Sequence, residues 1–155
     1  IDAMGCQKEI AKKIVEARRV EPIVTTTRLA EIVRRGVPGK WGQIDPATRT
    51  FQALRIAVNE ELERLDDLLA HLAGYLGPGG KAAIISFHSL EDRIVKQFIA
   101  QEVKGCICPP ELPVCQCGRV PRLKAVSRKA IQATDAETTA NPRTRSARLR
   151  VAERI

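Results

Sequence analysis

Aromatic residues are scarce in this chain of 155 residues, at 3% of the sequence with one Trp and one Tyr. We therefore do not expect the chain to bind single strands by stacking bases on aromatic rings. No run of 18 apolar residues occurs, so no transmembrane helix and no membrane partner are expected. Residue 1 is Ile rather than Met, and nothing after it resembles a signal peptide. These absences predict a cytoplasmic protein, and a fragment whose natural start lies upstream.

Charge is distributed unevenly along the chain. Residues 1–118 contain 16 Lys/Arg against 15 Asp/Glu, whereas residues 119–155 contain 10 against 3. A basic tail on a neutral body favours a polyanionic partner, because each phosphate contact releases counterions. Nucleic acid is the favoured partner, and a solvated basic edge is the alternative.

Hydrophobic spacing and cap signals predict the order of the elements. Residues 8–19 and 28–36 have the spacing of amphipathic helices. A long helix is predicted from about residue 46, with Asp45 as N-cap and an apolar stripe that continues to Leu76. KAAIISF (81–87) reads as a short buried strand, and LKAVSR and SARLRVAE in the tail read as strands. This order of helices, strand, helix and strands predicts an α/β fold.

The densest polar stretch is SFHSLEDRIVKQF (86–98), which begins where the predicted strand ends. Open α/β sheets bind ligands at the point where a strand passes through a loop into a helix. His88 can act in acid–base chemistry or hydrogen-bond a base or ribose, and Ser86 and Ser89 can do the latter. The alternative is that Ser89 and Asp92 only cap the helix in a capping box. A Ser–His hydrolase is not supported, because no G-x-S-x-G elbow is present.

Four of the five cysteines lie within twelve residues, in CICPPELPVCQC. With no signal peptide, this is not the pattern of a secreted disulfide scaffold. Four thiolates can close a tetrahedral structural zinc site, although C-x-C pairs are less diagnostic than C-x-x-C pairs. The alternative is that they are reduced cysteines without a ligand. The candidate metal ligands are Cys106, Cys108, Cys115 and Cys117.

Three segments resemble, in order, the C-terminal half of the ribosomal RNA small subunit methyltransferase H family. They are DPATRTFQALRIAVNEEL, LGPGGKAAIISFHSLEDRIVKQF and NPRTRSARLRVAER. The resemblance implies a partial Rossmann-like methyltransferase sheet with an inserted helical domain. Residues 1–74 would contain the helical insertion. Residues 75–155 would be the C-terminal part of the catalytic domain, with a Cys-rich loop at 105–118 and the basic tail at 119–155.

The resemblance also implies a function. Members transfer a methyl group from S-adenosylmethionine to N4 of a decoding-centre cytidine in 16S rRNA, so the partners would be 16S rRNA and the small ribosomal subunit. Whether the complete protein is a homodimer stays open. The family's glycine-rich cofactor loop lies upstream, and GPGG (77–80) does not replace it because it precedes a strand instead of following one. The hypothesis is therefore that these residues cannot methylate alone.

The resemblance suggests substrate roles, but it identifies no catalytic residue. The candidates for contact with the cytosine, its ribose or the RNA backbone are Ser86, His88, Ser89, Arg93, Arg49, Arg55, Asn59, Asn141, Arg143 and Arg145. A plain surface position is the alternative for Arg49, Arg55 and Asn59, and turn formation is the alternative for Asn141. Two functions outside catalysis remain open: a non-catalytic RNA-binding module and a zinc-stapled interaction domain.

Overall fold

The computed structural model describes residues 3–37, 45–109 and 111–155. The chain divides into two compact units, residues 1–61 and residues 62–155, and each is described by itself. In the described part of the chain, no helix is long and apolar enough to cross a membrane.

Where the structure describes it, the first unit contains three helices: α1 (Ala3–Val20), α2 (Thr26–Gly36) and α3 (Pro46–Asn59). Val33 and Ala47 are buried in its core, and Ile10 and Phe51 pack against them, as the amphipathic spacing predicts. Asp45 caps α3 by accepting a hydrogen bond from the backbone N–H of Ala47, which confirms the predicted cap.

The prediction of one long helix from residue 46 is wrong. The helix ends at Asn59, Glu60 adopts a left-handed backbone with φ of 54°, and α4 (Glu61–Tyr75) follows. The apolar stripe is continuous in sequence, but its two ends belong to different cores. Phe51 packs in the first unit and Leu69 in the second, while Val58 near the break is 80% exposed.

The second unit is built on an antiparallel sheet, which confirms the α/β class. Its strands in the described residues are β1 (Lys81–Ser86), β2 (Leu123–Ala125), β3 (Ile131–Gln132) and β4 (Arg148–Arg154). β1 pairs with one edge of β4, from Lys81 opposite Glu153 to Ser86 opposite Arg148. β2 and β3 pair with the other edge. Because β1 and β2 are both antiparallel to β4, they run parallel to each other.

Helices complete the second unit and cover one face of the sheet. α5 (Ser89–Lys104) connects β1 to β2, and α6 (Asp135–Ala140) and a short 3-10 helix (Pro142–Ser146) precede β4. The core joins Leu69 of α4, Val95 and Ile99 of α5, Leu123 of β2 and Ala152 of β4. α4 therefore packs with the sheet, so the boundary between the compact units falls before residue 74. The assignment of residues 1–74 to a helical insertion stays a prediction.

Candidate RNA-facing edge and cysteine cluster

The start of α5 is capped by His88 and Glu91, whereas Ser89 and Asp92 were the predicted pair. The His88 Nδ1 accepts a hydrogen bond from the backbone N–H of Glu91 at 3.3 Å, and Glu91 Oε2 accepts one from the backbone N–H of His88 at 3.2 Å. The capping box is thus shifted by one residue. Because Nδ1 is an acceptor, a neutral His88 carries its proton on Nε2.

The His88 Nε2 is buried without a hydrogen-bond partner in the described residues. It lies 3.3 Å from Glu91 Oε1, which is ion-pair distance if the ring is protonated, but the geometry is not that of a hydrogen bond. Because this nitrogen is buried, a ligand would reach it only if the groups around it moved aside. His88 therefore holds the strand–helix junction in the structure as it stands.

Asp92 has a role that the sequence did not reveal. Its side chain is 7% exposed and accepts hydrogen bonds from Arg150 Nε at 2.7 Å, Arg150 Nη2 at 3.1 Å and Arg148 Nη1 at 3.1 Å. The bonds from Arg150 lower the pKa of Asp92, although burial opposes them. This ion pair network fixes the N-terminus of α5 to the start of β4.

The other predicted residues at this junction differ in exposure. Ser86 is buried, and its hydroxyl donates to the backbone carbonyl of Arg148 at 3.4 Å, across the β1–β4 ladder. Ser89 and Arg93 are exposed on the first turns of α5. Arg93 forms no ion pair with any residue that the structure describes.

Asn141, Arg143 and Arg145 lie just before β4. Asn141 caps the 3-10 helix through its Oδ1, which accepts from the backbone N–H of Arg143 at 3.1 Å. Arg143 and Arg145 are exposed, and within the described ranges their guanidinium groups have no carboxylate partner. β4 begins beside the end of β1, with Arg148 opposite Ser86, so the segment that carries these residues enters the sheet at the end where β1 passes into α5.

Arg49, Arg55 and Asn59 belong to the first unit, on α3. Arg55 forms a two-pronged ion pair with Glu61, at 2.9 Å and 3.1 Å, and Asn59 Nδ2 donates to Glu61 Oε1 at 3.2 Å. Arg49 is exposed. The predicted set is therefore divided between the two units.

The four clustered cysteines turn their sulfur atoms toward one another, and all four Sγ atoms lie within 4.8 Å of each other. Cys117 and Cys115 are 3.4 Å apart, as are Cys106 and Cys115. Backbone N–H groups of Ile107 and Arg119, together with the neighbouring Cys115 thiol, lower the pKa of Cys117 to about 6. Hydrogen bonding with the thiols around it, Cys117 first, raises the pKa of Cys115 to about 11. The cluster can therefore hold a soft metal ion.

Glu102 closes the base of the cysteine loop and was also missed. Its carboxylate is 5% exposed and accepts hydrogen bonds from Arg122 Nε at 2.6 Å, Arg122 Nη2 at 2.8 Å and Arg119 Nη2 at 2.9 Å. The bonds from Arg122 lower the pKa of Glu102. A sequence signal was present: Asp92, Val95, Ile99 and Glu102 recur at helical spacing on the buried face of α5.

The glycine-rich turn does not fit a cofactor-binding loop. The Gly79 N–H donates to the Arg154 carbonyl, and the Arg154 N–H donates to the Gly80 carbonyl. A Cβ on Gly80 would lie 2.8 Å from the Gly77 carbonyl oxygen, so the turn needs glycine for its own closure. These backbone groups are occupied by the chain itself and do not cradle a nucleoside.

Comparisons with known proteins agree on one family. Residues 4–155 match the sequence profile of the MraW methylase family. Ribosomal RNA small subunit methyltransferase H of Citrifermentans bemidjiense is 56% identical over 150 residues, covering 96% of this chain and 48% of that protein. The protein of the same name from Dehalococcoides mccartyi is 53% identical over 148 residues, covering 96% and 42%. The chain thus spans about half the length of the curated relatives it matches.

Proposed function

Because the chain belongs to the MraW methylase family, we propose that it forms the RNA-facing part of a methyltransferase acting on 16S rRNA. Relatives that are 53–56% identical are named as ribosomal RNA small subunit methyltransferases. The proposed reaction is methylation of N4 of a decoding-centre cytidine in the small subunit, with S-adenosylmethionine as methyl donor, in the cytoplasm. We further propose that residues 1–74 contribute a helical insertion and residues 75–155 part of the catalytic domain.

The proposal rests on three arginines near the end of β1 and the start of β4. Arg93, Arg143 and Arg145 are exposed and, among the described residues, have no acidic partner, whereas Arg148 and Arg150 are both paired with Asp92. Exposed, unneutralised guanidinium groups suit phosphate contacts. An RNA backbone bound to these arginines would bring its bases to the end of β1.

Positioning is the main requirement of the proposed reaction. A cytidine must leave its stack to reach an active site, and its amine must then be held in line with the donated methyl group. Ser89, Arg93, Arg143 and Arg145 would fix the RNA strand, while His88 would contact the base only if the groups around its Nε2 moved aside. Because the glycine turn does not fit the cofactor, we derive no chemical step from these residues alone.

Methyl transfer from labelled S-adenosylmethionine to small subunits lacking the modification tests the enzyme function. We expect label at cytidine N4 only when the upstream half of a relative is supplied together with this chain. Transfer by the chain alone would contradict the proposed division of labour. No label in either case, with RNA binding intact, would favour the non-catalytic RNA-binding module.

The salt dependence of RNA binding tests the proposed phosphate contacts of Arg143 and Arg145 separately. Each phosphate contact contributes about 0.7 to the slope of log K against log salt for single strands. The double substitution Arg143→Gln and Arg145→Gln should therefore lower that slope by about 1 to 1.5. The matched control removes two exposed charges from α5, Lys96→Gln with Lys104→Gln. Equal slopes for both double variants would refute a specific role of Arg143 and Arg145 in phosphate binding.

A further inference from the structure

The sulfur atoms of the cysteine cluster have the spacing of a metal cage. Four of the six pairs of sulfur atoms are separated by 3.4, 3.4, 3.8 and 3.9 Å, namely Cys106–Cys115, Cys115–Cys117, Cys117–Cys106 and Cys108–Cys115. A tetrahedral zinc site with Zn–S bonds of about 2.3 Å has S···S edges of about 3.8 Å. The four sulfur atoms are therefore close enough together to bind a single ion of this size.

Burial of apolar side chains does not explain why the thiols face inward. Within the described loop, the large hydrophobic residues Ile107, Leu112 and Val114 are all exposed. A loop without an apolar core needs another source of order, and small protein segments commonly obtain it from a metal ion.

The backbone is shaped to present the thiols. Gly105 has φ of 70°, and Cys106 N–H donates back to the Lys104 carbonyl at 2.9 Å, so the chain reverses sharply into the first cysteine. At the other end, the Arg122 N–H donates to the Glu102 carbonyl at 3.0 Å. The loop is thus closed at its base independently of the cysteines.

A backbone N–H also points at one of the sulfur atoms. The Gln116 N–H donates to Cys108 Sγ at 3.4 Å. Such bonds stabilise a thiolate and orient its lone pairs, as the outer hydrogen bonds of metal sites do. Cys108 Sγ therefore already has an amide donor of the kind that thiolate ligands use.

We propose that Cys106, Cys108, Cys115 and Cys117 bind one zinc ion as four thiolates. Binding releases the protons of whichever thiols are neutral, and four protein ligands leave no open position for substrate, so the site is structural. The complex carries two negative charges, and Lys104 and Arg119 adjoin the loop in sequence. The proposal concerns this chain alone and does not depend on methyl transfer.

Metal analysis of the purified chain of 155 residues tests the site. We expect one zinc ion per chain after growth or refolding with zinc chloride, and retention of it through gel filtration. Replacing Cys108 or Cys115 by Ser should reduce bound zinc at least tenfold, whereas Cys6→Ser, outside the cluster, should leave it unchanged. Equal loss in the Cys6 variant, or no zinc in the wild-type chain, would overturn the proposal.

Cobalt substitution keeps the test valid if the serine variants fail to fold. The wild-type chain with one Co²⁺ should show the thiolate charge-transfer band and the intense visible bands of a tetrahedral thiolate site, and zinc should abolish both. The weak spectrum of an octahedral cobalt ion would contradict four-thiolate binding. Disulfides in the freshly purified chain, revealed by a lower intact mass and loss of reactive thiols, would also overturn it.

Discussion

Neutralising Asp92 should destabilise the second unit strongly. The substitution Asp92→Asn keeps the shape of the side chain but removes the anion that faces Arg150, whose side chain is only 14% exposed. Removing one partner of a buried ion pair lowers the free energy of unfolding by about 3–5 kcal/mol, because the charge of the other partner stays buried without compensation. Since Asn can keep one hydrogen bond to a guanidinium group, we expect about 3 kcal/mol of lost unfolding free energy at pH 7.

The pKa of Asp92 determines how the stability lost in Asp92→Asn depends on pH. Arg150 and Arg148 hold the pKa of Asp92 below its usual value in the folded state. The pair therefore stabilises the fold fully above the unfolded-state pKa of about 3.9, and this stabilisation is lost as the pH falls through that value toward the lower folded-state pKa. The difference between wild type and Asp92→Asn should be constant above about pH 5 and shrink below about pH 4.

Urea unfolding followed by circular dichroism at several pH values measures both quantities. Asp67→Asn is the matched control, because the Asp67 side chain is 82% exposed, and its effect should stay within about 0.5 kcal/mol. Adding Arg150→Met to Asp92→Asn should restore part of the stability by removing the unpaired cation. A loss below about 1 kcal/mol at pH 7, or one that does not shrink in acid, would refute the reasoning.

Two further substitutions test the base of the cysteine loop. Glu102→Gln should cost about 1–2 kcal/mol of unfolding free energy at pH 7, because it removes the anion that Arg122 and Arg119 share, while both arginines stay partly solvated. An unchanged urea midpoint would contradict this. Gly105→Ala should cost about 2–4 kcal/mol, since a Cβ there would lie 2.5 Å from the Pro121 nitrogen at a positive φ. Gly74→Ala is its control, because a Cβ at Gly74 meets no atom within 4 Å, and the helix should be unchanged or more stable. If both alanine substitutions changed the free energy of unfolding equally, the close contact between a Cβ at Gly105 and Pro121 would not be the cause of the loss.

Sequence alone predicted the elements whose signals are local. Asp45 and Pro46 mark the start of α3, and the apolar run at 81–86 marks β1, because caps and side-chain periodicity act within a few residues. The cysteine pattern was visible because its four members lie within twelve residues, but only the fold brings their Sγ atoms within 4.8 Å of one another. The family resemblance likewise rested on contiguous motifs, and residues 4–155 match the family.

Only the tertiary structure shows which core each apolar residue joins and which partner each charged residue contacts. The apolar stripe from Phe51 to Leu76 reads as one helix, but two separate cores divide it at Glu60. The capping box lies one residue before its predicted position, and Asp92 instead pairs with arginines 56 and 58 residues away in sequence. Such partners are brought together by strand pairing, which local sequence does not encode. The chain therefore determines locally where its helices, strands and thiols occur, and long-range packing determines which charges are buried and which remain exposed for a ligand.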